Sequence, residues 1–247
     1  CIVHKHYINR MKNMKLNVLY EDDYMLACVK PCGVPSQGDK SNDEDMVTIV
    51  KNYLFDKSDS DEEPYVAVIH RLDRPVGGVM IFAKDKDTAA KLSDMMQDGA
   101  ITKYYQAVLT GELPDMDGEL VDYLARDPKN NTTRVVKKGD KGAKRAELYY
   151  EVIDVFETSE GVLSYVLIEL ITGRHHQIRA QMASRGCGIW GDTKYNPKFA
   201  KTKKKYTEIA LYSSRIELEH PVTGEELVFK HEPDGKAFDV IEMDEYE

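Results

Sequence analysis

Apolar residues recur at a spacing of two through most of this chain, and at three or four in only a few stretches. Residues 17–20 and 25–30 are two short apolar runs parted by Glu21-Asp22-Asp23, which predicts two strands and a turn. Pro31, Gly33 and Pro35 end the second strand and force an irregular loop. Met46, Val47, Ile49, Val50, Tyr53, Leu54 and Phe55 suffice for a short helix, after a polar stretch at 37–45. Residues 66–69 and 79–82 are apolar, β-branched runs flanking a polar turn. Asp85 or Asp87 can cap a helix to about residue 98, with Ala89, Leu92, Met95 and Met96 inward and Gly99 as its stop. Residues 101–110 alternate as a strand, and 120–124 form a short one. Residues 146–156 and 162–171 form long strands, joined by a turn at 157–161. A third helix is expected over residues 175–184, with Gly186 past its end. Residues 209–218 and 227–230 close the sheet. Strands outnumber helices, and the convincing helices lie between strand pairs. The pattern predicts an α+β fold: one domain over residues 14–233, a large, mostly antiparallel or mixed sheet with helices packed against it.

Composition bounds the function without naming it. The 247 residues allow a substantial core, and no apolar run is long enough to span a membrane. No apolar leader is visible. The sequence begins with Cys1, Met11 and Met14 are plausible starts, and residues 1–13 are read as an extension outside the fold. Cys1, Cys28, Cys32 and Cys187 show no zinc spacing, so no metal and a reduced, cytoplasmic protein are expected. A Cys28–Cys32 redox pair is the weaker alternative to small core or turn residues. The net charge of −9 hides a polarised distribution. Residues 126–145 carry eight Lys/Arg against two Asp, and 194–205 carry six Lys and no acid. Residues 225–247 carry nine acids against two Lys, and 234–247 read as an acidic tail. Residues 127–142 look like an exposed basic insertion.

Three stretches carry candidate chemistry. In the first, His70, Arg71, Asp73 and Arg74 fill the turn between two apolar strands, followed by Gly77 and Gly78. Alone, Asp73 between two arginines is most simply a surface ion pair. The second, residues 172–192, runs from a strand end into a helix. Arg174 sits at its start and Arg179 one and a half turns on, so the two can face opposite sides. His175 and His176 are expected to point apart, against a shared metal, and to orient the turn by hydrogen bonds. The third holds Tyr104 and Tyr105, which a strand must send to opposite faces, one to the core and one toward a cleft.

At this point the chain resembles the RluA-type pseudouridine synthases, uridine isomerases of ribosomal large-subunit and transfer RNA. Their H-R-L-D-x-x-(T/S)-(S/G)-G motif matches His70 to Gly78, with Val76 for Thr. Their K-x-Y-x-A-x-V-x-G motif matches Lys103, Tyr105, Ala107 and Gly111, with Leu109 for Val. Their G-R-x-H-Q-I-R block and its G-D-x-x-Y ending match Gly173 to Tyr195, with departures at His175, Gln181 and Gly188. An opening block at Leu19 to Pro35 and a closing one at Ile209 to Gly224 also fit, all in family order. The sequence shows no room before Leu16 for the RNA-binding S4 domain of many relatives.

The resemblance implies an RNA pseudouridine synthase that flips a uridine, cleaves its N-glycosidic bond and reattaches the base through C5. Asp73 would be the catalytic carboxylate, acting at C1′ or on the 2′ proton. Arg179 would pair with it, and Tyr105 would lie against the base and assist removal of the C5 proton. Arg71 would fill the space left by the flipped base. His70, Arg74, Lys103, Arg174, His176 and Gln177 would contact RNA, with the basic stretches along its phosphates. No cofactor is implied. The partner would be ribosomal or transfer RNA, bound by a monomer. Two other classes compete. One is a catalytically idle RNA-binding module on the same scaffold, against which the retention of Asp73, Tyr105 and Arg179 argues. The other is a retaining glycoside hydrolase, which needs a second acid that no motif supplies beside Asp73.

Overall fold

The computed structural model describes residues 15–38, 43–201 and 208–241. Residues 1–13 and 242–247 lie outside them, as do the basic positions Lys203, Lys204 and Lys205. Eleven strands join in one sheet: β1 (Asn17–Glu21), β2 (Met25–Lys30), β3 (Ala67–Val68), β4 (Gly77–Ala83), β5 (Thr102–Thr110), β6 (Asp117–Asp127), β7 (Thr132–Val136), β8 (Lys144–Thr158), β9 (Gly161–Leu170), β10 (Leu211–Glu219) and β11 (Glu226–Lys230). Their order is β1-β2-β4-β10-β5-β9-β8-β6-β7, with β3 against β4 and β11 against β10. All pairs are antiparallel except β4 with β10. The expected α+β architecture is observed.

Alternation along the central strands builds two cores. On β2 and β4, Leu26, Cys28, Met80 and Phe82 point to one face. There they meet Met46, Ile49, Val50 and Leu54 of α1 (Met46–Lys57). Met25, Ala27, Val79, Ile81 and Ala83 point to the other, toward Leu92 of α2 (Lys86–Gln97). Both strands are buried throughout because a helix covers each face. Asp45 caps α1 by accepting from the Val47 and Thr48 amides at 2.8 and 3.1 Å. Asp85, rather than Asp87, caps α2, accepting from the Thr88 amide at 2.8 Å. At its other end Gly99 takes φ +76° and Ala100 N–H donates to the Met95 carbonyl at 2.9 Å. The third helix, α3 (Gln177–Ser184), packs Ile178 and Met182 onto the first core.

Several elements depart from the sequence reading. The helix expected from residue 175 begins at Gln177, because His176 adopts a left-handed conformation with φ +51°. The short strand expected at 120–124 extends over eleven residues as β6. The basic insertion expected at 127–142 contains β7, which returns along β6 in register Tyr123↔Val136 to Asp127↔Thr132. Its β-branched residues Thr132, Thr133, Val135 and Val136 favour a strand whatever the charge around them. The strand expected over 66–69 pairs only at Ala67 and Val68. The tail expected from residue 234 packs inward at first, with Ala237 and Phe238 buried beside Tyr212.

Gly77 and Gly78, read in the sequence as turn residues leaving room for RNA, instead open β4 and make room for β10. Both are buried, pairing in parallel with Tyr212 and Ser213 of β10. A Cβ on Gly78 would lie 2.3 Å from the Ser213 carbonyl oxygen, and its φ is +119°. The site loop is therefore tied to the sheet centre by a backbone approach that only glycine permits. Gly78→Ala should destabilise the fold by about 3 kcal/mol or more, combining a disfavoured φ with a backbone clash. Urea unfolding would show it as a lowered midpoint.

Candidate active site

The site is assembled from four segments. The loop between β3 and β4 supplies His70, Arg71, Asp73 and Arg74; β5 supplies Lys103 and Tyr105. The start of α3 supplies residues 174–179, and the loop after α3 supplies residues 192–195. These segments line a cleft of about 950 Å³, the last of them through Thr193 and Lys194.

At its floor, Arg179 Nη1 donates to Asp73 Oδ2 at 3.0 Å. The same guanidinium makes a two-pronged contact with Asp192, Nε to Oδ2 at 2.7 Å and Nη2 to Oδ1 at 2.8 Å. Asp192 is fully buried, and its Oδ1 also accepts from the Lys194 and Tyr195 amides at 2.9 and 3.3 Å. Burial opposes the Arg179 charge, but Asp192 and then Asp73 outweigh it and hold its pKa above the ordinary arginine value. The sequence reading missed Asp192. Its available signal was Gly191, whose φ of +81° turns the chain there and whose absent side chain leaves room for the Glu208 carbonyl. A second acid therefore does stand near Asp73, contrary to expectation. It is sealed from the cleft, so it does not restore the two-carboxylate geometry of a glycoside hydrolase.

A second set of contacts runs from β7 toward Asp73. The Thr133 amide donates to the Tyr195 hydroxyl at 2.7 Å. That hydroxyl lies 2.7 Å from His176 Nδ1, and His176 Nε2 lies 3.5 Å from Asp73 Oδ2. Burial, then Arg179 and His175, push the His176 pKa down to about 2, so the ring is neutral. The Tyr195 hydroxyl accepts from Thr133 and has its own hydrogen free to donate to Nδ1; in that tautomer the His176 proton is on Nε2, the nitrogen nearer Asp73. Both contacts fall on Oδ2, and among the described residues Oδ1 of Asp73 has no hydrogen-bond partner.

The remaining predicted residues divide. Arg71 is exposed on the rim, with Arg126, Arg174 and Lys194 nearby on the cleft lining. Arg74 does not pair with Asp73. Its Nε donates to the Gly33 carbonyl at 2.8 Å and its guanidinium pairs with Asp43. The buried Lys30 ammonium bonds the Arg74 carbonyl at 3.2 Å, so this arginine and lysine brace the site loop. Gln177 is also committed internally, accepting from Thr172 Oγ1 and the Arg174 amide at 2.7 and 3.0 Å and donating to Glu147 O at 3.0 Å. His175 and His176 do not point apart. Their rings stack at 3.7 Å between centroids, because the left-handed turn at His176 brings them together. Tyr105 is buried, and burial followed by the Asp73 charge raises its pKa, keeping it a neutral phenol. Cys28 and Cys32 are free thiols pushed up by burial to about 12 and 11, which leaves no reactive redox pair. Among the described residues no cluster of three or more His, Cys, Asp or Glu could hold a metal, and no helix is long and apolar enough to cross a membrane.

Most of this arrangement, Asp73, Tyr105, His176 and Arg179 included, lies in a stretch that matches a family profile, RNA pseudouridylate synthase, over residues 24–184. The chain belongs to that family. Its members are isomerases. The chain is 30% identical to a Vibrio cholerae ribosomal large subunit pseudouridine synthase D over 94% of this chain and 71% of that protein. It is 29% identical to a Neisseria meningitidis serogroup B protein of the same name, over 88% of this chain. That alignment spans only 58% of the Neisseria protein's length. A solved human RNA pseudouridylate synthase domain containing 4 superposes with a TM-score of 0.73 over 92% of both chains, at 21% identity, a likeness of fold.

Two outcomes follow from this geometry. Arg179→Met should destabilise the protein by about 3–5 kcal/mol in urea unfolding, because it strands the buried Asp192 charge. Tyr195→Phe should lose about 1–3 kcal/mol, by orphaning the Thr133 amide. His70 and His176, at about 3 and 2, stay neutral in the fold while the unfolded chain protonates near 6.5. The unfolded state thus binds more protons below that pH, and stability should fall as pH drops from 7 to 5. Urea midpoints at the two pH values should differ less in His70→Gln than in the parent.

Proposed function

We propose that this protein isomerises uridine to pseudouridine at defined positions of large-subunit ribosomal RNA, with Asp73 as the reacting carboxylate. One observation carries the reading. Asp73 lines the cleft with its side chain part-exposed while Arg179 and His176 approach Oδ2, so a single acid is backed by a buried cation. Surface ion pairs contribute little to stability, and this one is built far more elaborately than stability needs. The names of the Neisseria and Vibrio relatives support ribosomal RNA as the substrate class.

Uridine and pseudouridine are isomers, so the reaction needs no net exchange of electrons. The N1–C1′ bond breaks, the uracil turns, C5 joins C1′, and the proton leaving C5 is matched by one gained at N1. Asp73 Oδ1 would attack C1′ or take the 2′ proton. Arg179 and His176 would keep the carboxylate aimed through either step. Tyr105, as a neutral phenol, would support the uracil face; it could take the C5 proton only while releasing its own. Arg71 would enter the gap left by the flipped base, limiting an unstacking cost of a few kcal/mol. Arg126, Arg174 and Lys194 would follow phosphates, which predicts salt-sensitive affinity. Among the proposed RNA contacts, Arg74 and Gln177 would act indirectly, by bracing the loop and the start of α3. The working form would be a cytoplasmic monomer.

Pseudouridine has the mass of uridine, so the test is chemical. Ribosomal and transfer RNA from cells with and without the gene would be treated with a reagent that adds to pseudouridine but not uridine. Loss of large-subunit ribosomal sites is expected. Loss confined to transfer RNA would move the substrate class, and no change in either would overturn the activity. Asp73→Asn should bind RNA within about threefold of the parent, the cleft being otherwise intact, and form no product. Product formation by that variant would move the chemistry off Asp73.

A further inference from the structure

Two ionisable groups on the cleft wall, the buried Lys103 and the half-buried His70, take no part in the Asp73–Arg179 cluster. Lys103 stands on β5, two residues before Tyr105 and on the same side of the strand, so the two lie roughly 7 Å apart along the cleft. It is only 7% exposed. Among the described residues its ammonium meets no carboxylate. Its one hydrogen-bond contact is the thioether sulfur of Met96, a weak acceptor, at 3.3 Å. Burying an ammonium without a counter-charge is unfavourable, and burial lowers the Lys103 pKa with no acid to offset it.

His70 adjoins it. Burial, and then the Lys103 charge, keep the ring neutral. Its Nε2 accepts from the Ile81 amide at 3.3 Å, so its proton sits on Nδ1. Among the described residues that N–H has no acceptor. The wall thus presents an ammonium met only by a thioether and a ring N–H with no protein acceptor among the described residues. The rim cations differ: they are exposed and can attract RNA only in a general, screened way.

We propose that Lys103 and the Nδ1–H of His70 form the receiving site for one RNA backbone phosphate, the one flanking the nucleotide held against Tyr105. The inference rests on the reading of this cleft as an RNA site and adds which chemical group occupies its inner end. A phosphodiester suits it because it carries one permanent negative charge and needs no proton. It also supplies the counter-charge the buried lysine lacks. The spacing of Lys103 from Tyr105 is comparable to the reach from a base to its own phosphate. Such a contact fixes the register of the strand in the cleft while the base turns, a positional role rather than a reactive one.

The test is a titration of the intact protein labelled with ¹³C at lysine Cε. Uridine 3′-monophosphate is the probe, with uridine and inorganic phosphate as comparison arms. The Lys103 resonance is assigned by its absence in Lys103→Met. We expect the nucleotide to shift that resonance and raise its midpoint by about one unit or more, as an added counter-charge does. Uridine should do neither, and inorganic phosphate should act only at higher concentration. An unmoved midpoint with the nucleotide, or an equal response to uridine, would overturn the proposal. A second measurement uses a uridine-loop hairpin RNA bound to the Asp73→Asn protein across a salt series. Adding Lys103→Met should reduce the slope of log affinity against log salt by about 0.7, one phosphate contact on a single strand, and Lys103→Arg should recover part of it. An unchanged slope would count against the site. Both readouts are independent of turnover: failure of the isomerase assay would remove the activity and leave the lysine titration standing, and the reverse holds as well.

Discussion

Arg179 serves two carboxylates, and the architecture of the cleft follows from how it divides between them. Asp192 takes two of its donors in a fully buried contact and Asp73 takes one at the surface of the cleft. A lone arginine at that depth would be a liability, because removing a charge from water costs several kcal/mol unless it is paired. Asp192 meets that cost inside the fold. Asp73 is then free to be oriented by the arginine without being sealed in with it. The arrangement separates stability from chemistry across one guanidinium, so loss of Arg179 should unfold as well as inactivate, while loss of the Asp73 charge should only inactivate.

The sheet supplies the rigidity this division needs. Asp73 lies in a loop whose far end, Gly77 and Gly78, is pinned to β10 by direct backbone pairing. Its near end is held by Lys30 and Arg74, which tie it to the loop after β2. Asp192 follows a segment bonded to β5, where the Trp190 amide donates to Val108 O at 2.8 Å. Tyr105 and Lys103 stand on β5 itself. The acid, its cation and the aromatic surface are thus referred to neighbouring strands of one sheet, a better anchor than loops alone.

Electrostatics then separates the cleft from the rest of a net acidic molecule. The arginines and lysine of the rim gather around a floor with Asp73 at its centre. The hairpin of β6 and β7 carries part of that basic rim, and it is joined to the floor through Thr133, Tyr195 and His176. The basic hairpin is in this way linked through Thr133, Tyr195 and His176 to within 3.5 Å of the carboxylate beneath it.

Local pattern determined a good deal of this protein. Alternating apolar runs marked most strands, Asp85 and Gly99 marked the ends of α2, and motif order carried Asp73, Tyr105 and Arg179 together before any coordinates. Such features depend on neighbours in sequence, where propensity, capping and periodicity act. The tertiary structure decided what depends on neighbours in space. It turned Gly78 from room for a ligand into room for β10, and Arg74 from a partner of Asp73 into a brace for a loop. It stacked the two histidines through one left-handed residue and made β7 a strand within a basic stretch. Above all it revealed Asp192, thirteen residues from Arg179 along the chain yet in direct contact with it. A carboxylate's role is set by which charges surround it and whether water reaches it, and both are properties of the packed chain rather than of its sequence.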